Sequence, residues 1–409
     1  MTNLPQGWEV KTLSEIGEII TGSTPSKSNV EFYGKDYPFF KPSDFEQGYF
    51  LENAGDNLSK LGFGKARQLP PKTILVVCIG SLGKVALTRV IGSCNQQINA
   101  IIPHKNIISE YIYYYCISSK FQSILFSKAP QTTLAIFNKT EFSKLEIIYP
   151  KDIKKQERIV GILDESFAKI DESIKILEQN LLNLDELMQS ALQKAFNPLK
   201  DNAKENYKLP QGWEWKSLGE IGNTSSGGTP LRNKKEYWEN GSIKWLKSGE
   251  LNDGYIDFIE ENITEEAIEN SSAKIFQKGT LLIAMYGATA GRLGILNLDS
   301  ATNQAVCAFL HKDNKNIKFL EKFLFYFLFF IRDKIIKDSF GGAQPNISQT
   351  YIKNLQIPLP PLKEQEQIAE HLDFVFEKAK ALKELYTKEL KDYEELKQSL
   401  LNKAFKGEL

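Results

Sequence analysis

The sequence contains one long segment twice, and this duplication limits the possible folds more than any other feature. LPQGWEVKTLSEIGEIITGSTP, which begins at Leu4, recurs as LPQGWEWKSLGEIGNTSSGGTP from Leu209. Further matches follow in the same order and end with LMQSALQKAF in the first copy and LKQSLLNKAF in the second. Trp8 and Trp213 are 205 residues apart, and this offset changes only slightly along the copies. A repeat of this length predicts two similar structural units in one chain.

The first part of each copy mixes strand and helix signals. Short β-rich runs occur at Thr73–Ile79 and Thr280–Met285, and Gly-rich turns surround them. Aromatic segments with helical character follow at Glu110–Phe126 and Ile317–Ile336. This alternation predicts an α/β globule with a twisted sheet in each copy.

The second part of each copy has a heptad pattern. After Pro150 and again after Pro360-Pro361, glycine and proline become rare. In the first copy the apolar positions are separated alternately by four and three residues: Leu163, Phe167, Ile170, Ile174, Leu177, Leu181, Leu184, Met188 and Ala191. In the second copy the equivalent positions include one polar residue, Lys383: Leu372, Phe376, Ala379, Lys383, Tyr386, Leu390 and Tyr393. This spacing predicts two long helices that pack together as a coiled coil, each ~65 Å long at ~1.5 Å per residue.

We therefore predict an α+β protein with a pseudo-twofold internal repeat. Two α/β domains with twisted sheets are expected to be separated by two long antiparallel helices, since an amphipathic helix of this length needs a partner for its apolar face. The predicted boundaries are 1–150 for the first globular domain, 151–200 for the first helix, 201–360 for the second globular domain and 361–409 for the second helix.

Composition and motifs argue against a catalytic site. The net charge is zero, so overall charge does not indicate a nucleic-acid binder. The three histidines are far apart, without ligand spacing, so we predict no metal and no cofactor. GSLGKV, from Gly80, lacks the spacing and the final Ser/Thr of a phosphate-binding loop. The chain is expected to be non-catalytic.

The expected location is the cytoplasm. The four cysteines are scattered and form no disulfide-like framework, which favours a reducing compartment. The N-terminal residues show no signal peptide. The most apolar stretch, Phe323 to Ile331, is too short to span a membrane and is expected to be a buried helix.

The duplicated motifs together resemble the specificity subunits of type I restriction-modification systems. In the first copy they are Leu4-Pro5-Gln6-Gly7-Trp8, Thr24-Pro25, Asn95-Gln96, Pro150 and Gln156-Glu157. In the second copy they are Leu209 to Trp213, Thr229-Pro230, Asn303-Gln304, Pro358-Leu359-Pro360-Pro361 and Glu364-Gln365. The resemblance covers nearly the whole chain, and the ordered set is specific although each motif alone is weak.

The resemblance implies a role in DNA recognition. Each globular domain would be a target recognition domain that reads one half of a split, asymmetric site in double-stranded DNA. The helices would fix the gap between the halves. They would also dock two adenine-methylating subunits, joined by two ATP-driven restriction subunits that translocate and cut DNA. The alternative is a duplicated non-catalytic scaffold that binds another ligand; its binding would not weaken with salt as phosphate contacts do.

Base reading needs polar side chains presented from loops into the major groove. The candidate DNA-binding residues are Thr21, Ser23, Lys41, Ser43, Ser81, Lys84, Gln131, Thr132 and Thr133 in the first domain, and Ser226, Thr229, Lys247, Ser248, Thr289, Arg292, Gln344 and Asn346 in the second. The alternative for each is a solvated polar loop residue.

Residues present in both copies have a second interpretation. The Asn-Gln pairs at 95–96 and 303–304 are expected to brace turns, and Trp8 and Trp213 to anchor the core. Gln156, Glu157, Gln365 and Glu366 open the long helices. They are candidates for binding the methyltransferase, and the alternative is simple complementation of the helix dipole.

Overall fold

The structure is a computed structural model that describes residues 4–128, 136–196, 209–312, 318–339 and 346–409. The chain forms two compact units. Unit 1 comprises Met1–Glu178 and Tyr386–Leu409, and unit 2 comprises Gln179–Leu385. Each unit therefore contains one globular copy together with a segment of each long helix.

The globular part of unit 1 alternates strands with short helices, as the sequence predicts. Its elements are β1 (Trp8–Thr12), α1 (Leu13–Ile16), β2 (Gly17–Thr21), β3 (Tyr33–Phe40), β4 (Phe50–Leu51), β5 (Asp56–Leu58), α2 (Lys60–Lys65), β6 (Ile74–Val77), β7 (Val85–Thr88), β8 (Ser93–Cys94), β9 (Ile98–Pro103), α3 (Ser109–Ile117), α4 (Ser119–Lys128), α5 (Lys139–Ser143) and β10 (Glu146–Pro150). The first long helix, α6, runs from Ile153 to Phe196.

Unit 2 repeats this order of elements with one additional short strand, β16. They are β11 (Glu214–Ser217), α7 (Leu218–Ile221), β12 (Gly222–Ser226), β13 (Ile243–Leu246), β14 (Gly254–Ile256), β15 (Asn262–Ile263), α8 (Glu265–Glu269), β16 (Ile275–Phe276), β17 (Leu281–Ala284), β18 (Leu293–Leu296), β19 (Ser300–Thr302), β20 (Val306–His311), α9 (Glu321–Phe330), α10 (Arg332–Lys337), α11 (Gln349–Asn354) and β21 (Gln356–Leu359). The second long helix, α12, runs from Leu362 to Lys406. Short 3₁₀ turns occur at Val30–Phe32, Pro42–Gln47, Lys235–Tyr237 and Ser248–Glu250.

The larger sheets have the same topology in both units, and the smaller sheet of unit 2 has one strand more than that of unit 1. Unit 1 has a five-stranded sheet of order β2-β9-β6-β7-β4, and unit 2 has the matching order β12-β20-β17-β18-β14. A smaller sheet, β5-β3-β8, corresponds to β15-β13-β19-β16. β1 pairs with β10, and β11 pairs with β21, so the beginning and end of each globule are joined. The prediction of two similar α/β globules is confirmed.

The central strand of each large sheet is buried on both faces. In β6, Ile74 and Val76 pack against the aromatic helix α3, whereas Leu75 and Val77 face the smaller sheet. The side chains of β17 divide in the same way. Alternate residues of a strand point to opposite faces, so a four-residue apolar run can serve two cores. This explains why these runs are continuously apolar rather than alternating.

Each aromatic segment is helical, as predicted, and is divided into two helices. In unit 1, Ser118 has an extended backbone (φ −68°, ψ 146°) and separates α3 from α4. Its hydroxyl donates to the carbonyl oxygen of Tyr115 at 2.7 Å, so the side chain satisfies the end of α3. In unit 2 the break comes at Ile331, between α9 and α10.

The heptad prediction is confirmed residue by residue. Leu163, Ile170, Leu177, Leu184 and Ala191 are buried, and the seam positions between them are half-buried. In unit 1 the seam includes an ion pair between Asp171 and Lys397, with 2.7 Å between Oδ1 and Nζ. In unit 2 the polar seam residue Lys383 pairs with Asp185. From the pair Asp171–Lys397 to the pair Asp185–Lys383 the residue number rises on α6 and falls on α12, as in an antiparallel pair of helices.

Each globule is attached to both long helices through a set of contacts that we call the helix joint. In unit 1 it comprises Gln156 and Asp164 near the start of α6, Tyr114 on α3, and Phe405 near the end of α12. In unit 2 it comprises Gln365, Asp373, Tyr326 and Phe196. The two sets occupy equivalent positions in the repeat.

Candidate nucleic-acid interface

Several strand ends of unit 1 meet at one edge of the globule. β2 ends at Thr21 beside the start of β9, and β6 ends at Val77, also beside the start of β9. The parallel strands β3 and β8 end together at Phe40 and Cys94. The connecting segments therefore lie next to one another. We call this surface the loop edge, and in unit 1 it comprises residues 21–26, 41–47, 78–84 and 95–97.

The same strand ends form a loop edge in unit 2. Ser226 at the end of β12 pairs with Cys307 near the start of β20, and Ala284 at the end of β17 pairs with Val306. The backbone of Asn303 donates to the carbonyl oxygen at the end of β13 at 2.9 Å. This loop edge comprises residues 226–230, 247–253, 285–292 and 303–305. The fold thus brings most of the predicted DNA-binding residues of each copy to one surface.

The repeated motifs form the scaffold of the loop edge. A methyl group on Gly22 would lie 2.1 Å from the carbonyl oxygen of Asn95, and one on Gly227 would lie 2.1 Å from that of Thr302. Only glycine allows the chain to pass so closely. The next turn is held by the hydroxyl of Thr24, which donates to Gln96 Oε1 at 2.5 Å.

The Asn-Gln pairs brace the turns on which they lie. In unit 2, Thr229 donates to Gln304 as Thr24 does to Gln96. The backbone N–H two residues after each asparagine donates to its Oδ1, at 3.1 Å for Asn95 and 3.2 Å for Asn303. The expected bracing role is therefore observed.

The three candidate lysines are all bound to carboxylates. Lys41 pairs with Asp56, and Lys84 pairs with Glu46. Lys247 Nζ lies 2.7 Å from Glu261 Oε1. Each pair places a negative charge beside the cation, so none of the three lysines adds much net positive charge to the loop edge.

These ion pairs change the pKa values of their members. The hydrogen bond and charge of Lys84 lower the pKa of the Glu46 carboxyl. Partial burial would raise the pKa of Glu261, but hydrogen bonds from Arg232 and Lys247 outweigh it and leave that pKa below its ordinary value. The hydrogen bond to Glu261 raises the pKa of Lys247. All these groups are therefore held in their charged forms.

Three candidate hydroxyls also have protein partners. Thr21 donates to Asn99 Oδ1 at 2.6 Å, and Thr229 donates to Gln304. Ser226 accepts a hydrogen bond from Gln349, at the start of α11. To contact a base, each of these side chains would have to give up or share a bond within the fold.

The remaining described candidates make no side-chain hydrogen bond or ion pair within the residues that the structure describes. They include the exposed or half-buried residues Ser23, Ser43, Ser81, Ser248, Thr289, Arg292 and Asn346. Asn346 lies beside the loop edge of unit 2, where its backbone bridges to Tyr286. Gln131, Thr132, Thr133 and Gln344 lie outside the described residues.

Sequence reasoning missed two basic residues beside the loop edge. Arg67 is exposed and its Nη1 donates to the carbonyl oxygen of Thr21 at 2.5 Å. Lys274 is exposed and its Nζ lies 3.3 Å from Ser225 Oγ. Both follow the short helix before the central strand, α2 or α8, 207 residues apart. This offset matches the repeat, so aligning the two copies for basic residues in common would have identified them.

The predicted partner-binding residues fall into two groups. Gln156 and Gln365 are buried, with 0% and 1% of their surface exposed. Gln156 accepts from the backbone of Ile108 at 3.0 Å and donates to the carbonyl oxygens of Asn106 and Pro150. Gln365 makes the same three bonds in unit 2. A partner protein cannot reach these side chains, so the structure assigns both glutamines to bracing.

Glu157 and Glu366 are exposed and are the fifth residues of α6 and α12, just beyond the first turn of each helix. Their carboxylates are accessible to a partner, whereas interaction with the helix dipole is weak beyond the first turn.

The tryptophans of the repeated Pro-x-Gly-Trp turn lie near the long helices. Trp8 is half-buried against the core of unit 1 and is paired through β1 with Pro150. Trp213 donates through Nε1 to Glu364 on the first turn of α12 at 3.0 Å. These contacts fit the expected anchoring role.

Some general features of the described residues bear on other classes of site. The four cysteines are free and buried. Within the described ranges no cluster of three His, Cys, Asp or Glu side chains could hold a metal ion. None of the helices there combines the length and apolar character needed to cross a bilayer.

Comparison with known proteins identifies the family. The family model for the type I restriction modification DNA specificity domain matches residues 5–182 and 210–391, once in each copy of the repeat. The chain belongs to this family. The family description concerns specificity rather than catalysis, in agreement with the non-catalytic role that we predicted.

Individual relatives have the same designation. The specificity subunit of the type I restriction enzyme HindI from Haemophilus influenzae is 38% identical over 191 residues, which are 45% of this chain and 42% of that protein. The specificity subunit of the MjaIX enzyme from Methanocaldococcus jannaschii is 25% identical over 370 residues, covering 88% of this chain and 84% of that protein.

A solved structure supports the fold. A chain from work on complex assembly and conformational transition in a type I restriction-modification system matches with a TM-score of 0.80 and 21% identity, and the match covers 100% of both chains.

Proposed function

We propose that this chain directs a type I restriction-modification complex to a two-part, asymmetric sequence in double-stranded DNA. Each loop edge would read one half of that sequence. The observation that carries this proposal is the combination of one scaffold with two different sets of side chains. The Gly, Thr and Gln residues that shape the turns recur in both units. The side chains presented on these turns differ, as two readers of different half-sites require.

The chemistry of the presented side chains supports base recognition. Unit 2 offers Arg292, whose guanidinium can make two parallel bonds to guanine, and Asn346, whose amide can pair with adenine. Unit 1 offers the shorter hydroxyls of Ser43 and Ser81. Hydroxyl groups accept as well as donate and so can contact several bases. Unequal reading surfaces fit an asymmetric site.

We propose that the long helices dock two methyltransferase subunits and that two restriction subunits complete the complex. Apolar side chains off the coiled-coil seam support this part. They are between 45% and 61% exposed: Ile176, Leu182, Leu187, Phe374, Leu385 and Leu396. A helix that has already buried its seam and still exposes large apolar residues offers a surface for further packing. Glu157 and Glu366 would lie beside the partner. The free cysteines support action in the reducing cytoplasm.

Exchange of one globule tests the proposal. Residues 1–150 would be replaced by the equivalent residues of a relative, and the chain would be expressed with its methyltransferase partner. Sequencing of methylated bases across the genome should show one half of the motif changed and the other half retained. Methylation in this experiment requires both DNA reading and docking. A motif that changes in both halves, or in neither, would overturn the assignment of one half-site to each globule.

A further inference from the structure

Besides Arg292, which we propose as a base reader, two exposed cations beside the loop edge have no carboxylate partner within the described residues. Arg67 donates to a backbone carbonyl oxygen and Lys274 to a serine hydroxyl. Neither forms an ion pair within the residues that the structure describes. On this basis, and resting on the proposed DNA-reading function, we infer that Arg67 and Lys274 bind the phosphodiester backbone of duplex DNA, one in each unit.

The positions of the two residues are equivalent in the fold. The backbone of Arg67 accepts a hydrogen bond from Ser93 on β8 at 2.8 Å. Lys274 immediately precedes β16, which pairs with β19, the counterpart of β8. Each side chain then reaches the end of the strand that leads into the Gly-containing turn, β2 or β12. A cation thus occupies the same place beside both sets of candidate base readers.

The hydrogen bond of Arg67 orients the charge without cancelling it. A guanidinium has five N–H donors, and a carbonyl oxygen that accepts from one of them carries no full negative charge. The other donors can face a phosphate, which guanidinium groups bind through paired hydrogen bonds. Lys274 has an ammonium with three donors and acts as a point charge. Each would contribute one sequence-independent contact.

The candidate lysines at the same edge differ in this respect. Lys41, Lys84 and Lys247 are each paired with a carboxylate. A phosphate that approached one of them would meet that carboxylate as well. Arg67 and Lys274 can therefore release counterions from DNA, whereas the paired lysines contribute little to this effect.

The experiment measures the salt dependence of DNA binding. The full chain in complex with its methyltransferase would be titrated onto a labelled duplex containing the methylated motif, at salt concentrations between 50 and 200 mM. The logarithm of the binding constant falls linearly with the logarithm of the salt concentration, and each phosphate contact makes this slope steeper by about 0.9. Arg67→Gln and Lys274→Gln should each reduce the slope by about that amount. Each variant should consequently lose roughly threefold less affinity than the wild type over this salt range.

Matched controls remove the same charge at the far end of the same globule. Lys105 follows the end of β9, and Lys278 lies before β17; both are exposed and away from the loop edge. Lys105→Gln and Lys278→Gln should leave the slope unchanged. Arg67→Lys keeps the charge but changes the hydrogen bond to Thr21. Because the slope depends on the charge, this variant should have most of the wild-type slope that Arg67→Gln loses. A purely structural role for Arg67 would not be rescued in this way.

The outcomes separate the two proposals. A steep slope in the wild type that persists in Arg67→Gln and Lys274→Gln would overturn this inference and leave the proposed function intact. So would an equal loss of slope in Lys84→Gln, because it would show that carboxylate pairing does not decide which cation contacts phosphate. A wild-type complex that binds the motif without salt dependence would instead overturn the proposed function. Thermal unfolding of each variant shows whether it is folded.

Discussion

The helix joint and the loop edge lie in the same globule but have diverged to different degrees between the two units. At the helix joint almost every contact is repeated. Gln156 and Gln365 make the same three bonds to backbone atoms. Tyr114 donates to Asp164 at 2.6 Å, and Tyr326 donates to Asp373 at 2.8 Å. At the loop edge only the turn-forming residues are repeated, and the presented side chains differ.

The difference follows from what each region contacts. The helix joint holds a helix whose path is the same in both units, so the same buried polar groups need partners. Burial and the bond to Asp164 raise the pKa of Tyr114, and the same causes act on Tyr326, so both phenols keep their protons and donate. The loop edge projects into solvent, where one polar side chain can replace another without leaving a buried group unpaired.

Replacement of a joint glutamine should have the largest effect on stability. Gln156→Leu would remove three hydrogen bonds and leave buried backbone groups without partners, which costs about 3–5 kcal/mol in the free energy of unfolding. Gln365→Leu should cause a similar loss in unit 2. Chemical denaturation, followed by hydrogen exchange to locate the unfolding unit, measures both.

The loop edge provides the control for this prediction. Ser81 is exposed and makes no side-chain hydrogen bond to a described residue. Ser81→Ala should change the free energy of unfolding by less than about 0.5 kcal/mol, and the exposed neighbour variant Glu157→Gln should also have little effect. If Ser81→Ala destabilised the protein as much as Gln156→Leu, the distinction between joint and edge would be wrong.

The hydrogen bonds between tyrosine and aspartate should contribute less to stability than the glutamines do. Their contributions should also differ between the two helix joints. Tyr114→Phe would remove the hydrogen bond to Asp164 and destabilise unit 1 by about 1–2 kcal/mol. Tyr326→Phe should cost less, because Asp373 also pairs with Lys322. Unfolding of the two single variants can be compared with unfolding of Tyr326→Phe combined with Lys322→Met. If Lys322 compensates, the combined variant should lose at least as much stability as Tyr114→Phe.

The smallest predicted effect concerns Glu261, which pairs with Lys247 of the loop edge in unit 2. Its pKa in the folded protein lies below the ordinary value of 4.5. The stabilisation from its bonds to Arg232 and Lys247 is therefore fully present above pH 4.5 and is lost as the pH falls through the lower, folded-state pKa. Glu261→Gln should be less stable than the wild type by up to about 1 kcal/mol at pH 7, and this difference should shrink below pH 4.5. A difference that stayed constant from pH 7 to pH 3 would contradict the assignment.

Several residues show which kinds of inference from sequence succeed. The heptad positions, such as Leu163 and Leu177, were identified from spacing alone, and the structure buries them. The spacing was informative because a helix places residues three and four apart on one face, whatever the rest of the chain does. The duplication likewise predicted two equal globules, because similar segments have similar folding requirements.

Other assignments depended on residues that are distant in the sequence. Gln156 was a candidate for partner binding, and the structure instead buries it against the segment around Ile108. Lys84 was an obvious candidate for DNA binding, but Glu46 from another loop neutralises it. Arg67 was overlooked because nothing near it in the sequence shows that it reaches Thr21.

Repeat, periodicity and composition by themselves determined that this protein has two α/β globules, two long antiparallel helices and a family relationship to DNA specificity subunits. These properties depend on local spacing or on the similarity of whole segments, and both are visible in the linear sequence. Only the tertiary structure decided which polar side chains are engaged in the fold and which remain available at the loop edge. Strand register brings residues tens of positions apart within 3 Å of each other, and at that distance a hydrogen bond or an opposite charge determines what a side chain can still bind.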